Sequence, residues 1–346
     1  MTRRVGLVPI AILAAALAVA TCSTQDRPAS REVPTSAPPS TTLPVEAPPA
    51  LAPLQPPSFP AAGPVWPHDF PDPALLFHDG VYMAFATQGD QDARLQVLMS
   101  WDLTQWARRG DALIDTPVWA ESWATWAPSV AVAPGGTVLL YYSTFHRELG
   151  VQCLSVATAP ALDDRFADAS SEPLACDATE GGAIDPSPFV DDAGRRFLVW
   201  KVDGVAVGKP PAIVAQRLSP DGRRLEGERA VLLRADRAWE AGQIEAPSMA
   251  ALSGPAGGFT LLYSANWFDT ASYAVGVATC RTPLGPCTKR ATPVLVSRPG
   301  ALGPGGAEFF RDGEGRTLVA YHAWTGTPGA GGDRALFVDL ASNLVP

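Results

Sequence analysis

The sequence predicts an all-β fold, a five-bladed β-propeller preceded by a signal peptide and a disordered proline-rich linker. Three observations carry this expectation. From residue 66 onward short apolar and aromatic runs alternate with Asp-Gly, Gly-Gly and Pro-containing turns, helical periodicity is almost absent, and one hairpin pattern returns five times. Pro73 to Pro128 is 55 residues, Pro128 to Pro186 is 58, Pro186 to Pro247 is 61, and Ala307 lies 60 beyond Pro247. A fixed period of this length is the mark of one β-unit repeated around an axis, each unit a blade of roughly four strands.

The elements follow in order. Arg3 and Arg4 precede a 15-residue stretch, residues 5–19, that is apolar apart from Gly6 and Pro9. It is short for a bilayer span and ends in Val19-Ala20-Thr21 before Cys22, the layout of a secretory signal peptide over residues 1–21. A cysteine at that point resembles a bacterial lipoprotein box, so Cys22 is the expected lipidation site and membrane anchor, with an envelope-bound or secreted product. Residues 22–65 form the expected linker: 12 of the 37 residues from 28 to 64 are proline, too little apolar surface to offset ordering and a composition that favours an extended spacer.

Residues 66–346 are the expected propeller domain. The first copy of the hairpin starts at Asp72-Pro73 and turns at Asp79-Gly80; the second starts at Trp126-Ala127-Pro128. The third runs from Ile184-Asp185-Pro186 to Phe197-Leu198-Val199-Trp200, the fourth from Ile244-Glu245-Ala246-Pro247 to Leu261-Leu262-Tyr263, and the fifth from Gly306-Ala307-Glu308 to Tyr321-His322.

Charge and cysteine content narrow the partners. The formal charge is −9, and removal of residues 1–21 with Arg3 and Arg4 makes it −11, which argues against nucleic acid and leaves a neutral polymer such as a polysaccharide open. Apart from Cys22 there are four cysteines, Cys153, Cys176, Cys280 and Cys287, an even number in a chain bound for an oxidising compartment. Three pairings are possible; Cys153–Cys176 and Cys280–Cys287 close the short loops. With four histidines and no Cys/His spacing for zinc, no metal site is expected. The expected state is a monomer.

In a propeller the start of each blade's first strand crowds the central axis, so the repeat brings Asp72, Asp185 and Glu245 together, with Trp126 at the same point of the second copy. Three carboxylates on one axis repel unless they share protons or face a cleft. Glycosidic cleavage needs one carboxylic acid to protonate the leaving oxygen and one carboxylate to activate water or attack carbon, and a third acid can raise the pKa of the first. An acid capping a turn is the bland explanation for any one of them; three in phase point to a site.

Phe70-Pro71-Asp72-Pro73, Trp126-Ala127-Pro128, Ile184-Asp185-Pro186-Ser187-Pro188-Phe189 and Ile244-Glu245-Ala246-Pro247, in this order, resemble the signature blocks of glycoside hydrolase family 43. The resemblance runs over residues 66–340 and includes Ser100-Trp101-Asp102-Leu103-Thr104-Gln105-Trp106 and Tyr263-Ser264-Ala265-Asn266-Trp267. It implies an inverting hydrolase of arabinose- or xylose-containing polysaccharides or oligosaccharides, with an α-L-arabinofuranosidase or arabinanase favoured over a β-xylosidase. Asp72 would then be the general base, Glu245 the general acid and Asp185 the group that orients the acid and raises its pKa. Retaining invertase-type relatives fit worse, since this chain has Pro-Asp-Pro-Ala, Ile-Asp-Pro and Glu-Ala where they carry Asn-Asp-Pro-Asn-Gly, Arg-Asp-Pro and Glu-Cys.

One departure stands out. Where the family often has Gly-Pro-Gly-His, with a histidine near the axis that can help hold calcium, this chain has Gly303-Pro304-Gly305-Gly306, which removes that ligand; His322 reads as a strand residue. Trp126 is a candidate platform for a sugar ring, and Phe70 and Asn266 are further candidate substrate contacts. Asp69, Glu121 and Glu240 read as solvated acids. Two other classes of function stay open: a catalytically weak carbohydrate-binding propeller at the cell surface, and a scaffold for protein partners.

Overall fold

Asp79 and Gly80 both adopt positive φ (51° and 83°), as a two-residue hairpin turn requires, and they set β1 (Ala74–His78) antiparallel to β2 (Val81–Ala86) with Leu75 opposite Ala84. The same up-and-down logic builds the rest of the computed structural model, which describes residues 63–89, 93–251 and 258–345. The expected signal peptide, Cys22 and nearly all of the linker lie outside the described residues.

Blade 1 continues with β3 (Gln96–Ser100) and β4 (Trp106–Asp111). Blade 2 is β5 (Ala120–Val132), β6 (Val138–His146) and β7 (Gln152–Ala159). Blade 3 is β8 (Ala183–Val190), β9 (Arg196–Val202), β10 (Ala212–Leu218) and β11 (Leu225–Arg234). Blade 4 is β12 (Ile244–Ala250), β13 (Phe259–Ala265), β14 (Ala274–Cys280) and β15 (Cys287–Lys289). Blade 5 is β16 (Leu302–Arg311), β17 (Thr317–Trp324) and β18 (Arg334–Leu340). Every sheet is antiparallel and ordered as in the sequence, so the fold is the expected five-bladed propeller.

Two blades depart from four strands. In blade 2 the outer edge is an irregular segment that bridges β7 through Ala167 and Ala175. In blade 5 the N-terminal segment supplies the outer edge: Val65 N donates to Leu336 O at 2.8 Å and Leu336 N to Trp66 O at 3.0 Å. First and last residues of the domain thus share one blade and close the ring, which is why the domain begins at about residue 65.

The core is divided among the five blade junctions. Met83, Phe85 and Leu95 of blade 1 pack on Leu140 and Tyr142 of blade 2. Leu139 and Tyr141 meet Leu198 and Trp200 at the second junction, and Phe197 and Ile213 meet Leu261 and Tyr263 at the third. Val275 and Val277 meet Tyr321 and Phe337 at the fourth, and Leu318 and Leu336 meet Phe70 and Leu98 at the fifth. Both faces of each twisted sheet are therefore covered by neighbouring blades, which explains runs such as Val138-Leu139-Leu140-Tyr141-Tyr142 that do not alternate with polar residues. Both disulfides have the local pairing: Cys153–Cys176 and Cys280–Cys287, the second a directly opposed pair between β14 and β15.

Each inner strand is kinked near the axis by one left-handed residue: Asp72, Ala127, Asp185, Ala246 and Gly306 have φ of 52°, 43°, 56°, 45° and 58°. In blades 2 to 5 the kink interrupts the ladder, as between Glu245 and Ser248. This corrects the expected register. Asp72 and Asp185 occupy the kink, but Glu245 and Trp126 each precede it by one residue, on the last ladder pair above it.

Candidate active site

The ladder pair above each kink creates a second ring. Trp126 faces Ser143, Ile184 faces Lys201, Glu245 faces Ser264 and Gly305 faces His322, while in blade 1 Thr87 N donates to Pro71 O. Four of these five second-strand side chains accept the backbone N–H of the next blade's kinked residue. Ala127 N donates to Thr87 Oγ1 (2.8 Å), Asp185 N to Ser143 Oγ (3.1 Å), Gly306 N to Ser264 Oγ (3.0 Å) and Asp72 N to His322 Nδ1 (3.0 Å). A kink leaves an N–H without its ladder partner, and an unpaired buried N–H is costly, so the ring satisfies what the kinks expose.

Above the ring opens a pocket of about 510 Å³ lined by Asp72, Asp185, Glu245, Trp126 and Asn266 among others. All three expected carboxylates thus meet, although their positions on the kinks differ. Asp72 Oδ2 accepts from the Thr87 hydroxyl at 2.7 Å, and Oδ1 lies 3.5 Å from His322 Nδ1. His322 is fully buried, and burial lowers its pKa to about 4, so at neutral pH it is an uncharged acceptor with its proton on Nε2. A Cβ at residue 306 would stand 2.7 Å from His322 Nδ1 and 3.0 Å from Asp72 Oδ1. His322 therefore fills from blade 5's second strand the space that a side chain at 306 would need.

Asp185 Oδ2 accepts from Ala246 N at 2.8 Å. Its burial, and then the neighbouring Glu245, push its pKa up to about 8, with Lys201 opposing. Glu245 Oε1 is 2.7 Å from the Tyr273 hydroxyl, and Oε2 is 3.0 Å from Lys201 Nζ. Lys201 is itself buried and also pairs with Asp203 at 3.0 Å. Burial pulls the Lys201 pKa down, but the carboxylates of Glu245 and Asp203 outweigh it and hold the ammonium above lysine's ordinary range. Burial and Glu245 likewise keep the Tyr273 phenol protonated.

The apolar walls suit a sugar's faces. Trp126 (37 % exposed) lies at the pocket with Trp267 and Phe268 (47 % each), and the Arg334 guanidinium sits 5.5 Å from the Phe268 ring centre. Asn266 lines the pocket but uses its amide locally: Nδ2 donates to Trp239 O and Oδ1 accepts from Trp267 N. Phe70, expected beside the substrate, is fully buried between blades 5 and 1 and lies outside the pocket lining. Glu240, expected in solvent, is fully buried, 2.7 Å from Lys289 Nζ and accepting from the Tyr263 hydroxyl. Asp69 accepts from Arg334 N at 3.0 Å and Glu121 pairs with Arg147 at 3.2 Å.

The expectations from sequence missed Lys201, Tyr273, Thr87, Trp267, Phe268 and Arg334. Two of them left a signal: Lys201 is a lone charge in the apolar run Phe197-Leu198-Val199-Trp200-Lys201-Val202, and Trp267 ends the block Tyr263-Ser264-Ala265-Asn266-Trp267. Below the pocket a narrow axial channel holds Glu308, which accepts from Ser129 Oγ at 2.5 Å and whose pKa burial raises to about 8. At the axis Gly306 has no side chain to offer a calcium, and among the described residues no three His, Cys, Asp or Glu side chains form a group that could hold a metal ion.

Three carboxyl groups gathered in a cleft walled by indole and phenyl rings, at the mouth of a five-bladed propeller, are the equipment of a glycoside hydrolase. Glycosyl hydrolases family 43 is the family whose sequence pattern matches, over residues 61–340, and the chain belongs to it. Among solved structures, a thermostable family-43 glycoside hydrolase is 25% identical with TM-score 0.70, covering 79% of this chain and 89% of the other. An endo-1,4-beta-xylanase from Bacteroides thetaiotaomicron VPI-5482 is 25% identical with TM-score 0.64, covering 80% and 90%. An alpha-L-arabinofuranosidase from Lactobacillus brevis, at 20% identity and TM-score 0.64 over 78% and 90%, shares the fold. A comparison with curated proteins found no match.

Proposed function

We propose that this hydrolase cleaves arabinose- or xylose-containing polysaccharides or oligosaccharides with inversion, α-L-arabinofuranosyl linkages being the first candidate. Asp72 takes a proton from water as the water oxygen attacks the anomeric carbon. Glu245 gives its proton to the glycosidic oxygen, which leaves with the bonding electron pair, and the new sugar hydroxyl has the opposite configuration. Thr87 and the His322-bound backbone orient Asp72. Burial and the neighbouring Glu245 push the Asp185 carboxyl up to about 8, so the two carboxyls resist being ionised together and a proton is kept at the pair for Glu245 to deliver.

The observation that supports this reading is the convergence of Asp72, Asp185 and Glu245 on one pocket with Trp126 and Trp267. An arabinofuranosidase and a xylanase among the similar structures support the pentose preference. The test is sugar release from linear arabinan, arabinoxylan and xylo-oligosaccharides, with Glu245→Gln in parallel. Release should fall at least a hundredfold in the variant on the polymer preferred; glycan binding without release by the parent would make the protein a binding module instead.

The site is proposed to act outside the cytoplasm, anchored through Cys22 or released. Residues 1–22 and the two disulfides support this placement. Radiolabelled palmitate incorporated in the producing cell and lost in Cys22→Ala would demonstrate the anchor; equal labelling would refute it.

A further inference from the structure

Lys201 interrupts the second ring at the one junction where the interruption reaches Glu245. Elsewhere the ring residue is Thr87, Ser143, Ser264 or His322, and each accepts the next blade's N–H. An ammonium has three donors and no acceptor, so at the third junction the N–H of Ala246 goes to Asp185 Oδ2 instead. Lys201 is turned to a different use, lying 3.0 Å from Glu245 Oε2 and 3.0 Å from Asp203 Oδ1 with only 4 % of its surface exposed.

The two oxygens of Glu245 therefore differ. A proton on Oε2 would meet the Lys201 N–H head-on. A proton on Oε1 meets the Tyr273 hydroxyl, 2.7 Å away, which can accept it as readily as donate. The other charged groups around Glu245 are Asp185 from β8, which it acts on directly, Asp203 after β9, which shares the Lys201 ammonium, and Asp72 ahead of β1 and Arg334 from β18, which line the same pocket.

We propose that Lys201 is a positioning residue acting through Glu245: it confines the transferable proton to Oε1 and weakens the hold that the surrounding carboxylates place on it. When that proton passes to the glycosidic oxygen and the carbon–oxygen bond breaks, the charge left on Glu245 is met at Oε2 by the ammonium already in place. Asp203 moderates the effect by sharing the same ammonium. This assignment rests on Glu245 as the acid.

Because an acid works only while protonated, the alkaline limb of kcat/KM follows how tightly Glu245 holds its proton. Lys201→Met should move that limb to higher pH by about one unit or more, the size expected for losing an opposite charge in contact. Asp203→Asn should move it to lower pH, because the ammonium then acts on Glu245 alone, and Lys201→Arg should leave it near the parent's position. On a 4-nitrophenyl glycoside, whose leaving group departs without a proton, Lys201→Met should lose far less activity than on linear arabino- or xylo-oligosaccharides. A structural lysine would lower activity in both charge-changing variants without opposite limb shifts, and that result would overturn the proposal.

The same shifts are readable without turnover, by 13C NMR titration of the Glu245 carboxyl in protein labelled at glutamate Cδ, assigned by its loss in Glu245→Gln. Opposite displacements in Lys201→Met and Asp203→Asn support the assignment even if no sugar is released, in which case it is the functional reading that fails. Titration curves that coincide overturn it.

Discussion

His322 Nδ1 accepts the backbone N–H of Asp72 at 3.0 Å across 250 residues of sequence, joining the last blade to the first beside the proposed base. The contact is both a junction bond and the support of Asp72. His322→Ala removes the acceptor and opens a cavity, and should lower kcat at least tenfold and destabilise the domain by about 1–3 kcal/mol. Melting curves and kinetics on the preferred substrate check it; parent-like kcat in a folded variant would show that Asp72 needs no such support.

Gly306 tests the same corner from the other side. With φ at 58° and only 2.7 Å between its missing Cβ and His322 Nδ1, Gly306→Ala must displace either the histidine or its own backbone. The expected outcome is a larger loss of kcat than of KM, since the disturbance reaches Asp72 and not the aromatic walls.

Trp126 precedes its kink by one residue and presents more than a third of its surface at the pocket. Trp126→Ala should raise KM at least fivefold with a smaller change in kcat, because a stacking face holds ground state and transition state alike. Steady-state kinetics separate this from a role in the core, which would appear as a lower melting temperature.

Glu308 predicts a pH dependence of stability. Burial raises its pKa from 4.5 to about 8, so the folded chain keeps a proton that the unfolded chain releases. Stability from this group is complete below about pH 4.5 and declines as pH rises toward 8. Glu308→Gln, which keeps the shape and stays neutral, should melt above the parent at pH 8.5 and converge with it near pH 4.5. Parallel melting curves at all pH values would contradict a buried, protonated Glu308.

The architecture was legible because each repeat carries its own local chemistry: an Asp-Gly hairpin turn in blade 1, and a kinked residue followed by proline in blades 1 to 4. Asp72, Asp185 and Glu245 were found through that periodicity. Their phase went unread although the sequence carries it: proline directly follows Asp185 but stands two residues after Glu245, and the left-handed Asp185 and Ala246 show that the kink is the residue before the proline. Contacts made by ring closure left less trace. Phe70 reads like a pocket aromatic until blade 5 covers it, and Glu240 reads like a surface acid until Lys289 and Tyr263, 49 and 23 residues away, close around it. Lys201 was visible as an out-of-place charge, but its partner lies on the next blade.

The central claim is that Asp72 delivers water directly to the anomeric carbon while Glu245 protonates the departing oxygen. The most direct test is 1H NMR of the first sugar released from the preferred oligosaccharide, recorded before mutarotation equilibrates it. Direct displacement predicts that this first product carries the anomeric configuration opposite to that of the bond cleaved. A first product of unchanged configuration would mean a covalent intermediate, and would contradict the assignment of Asp72 as a base.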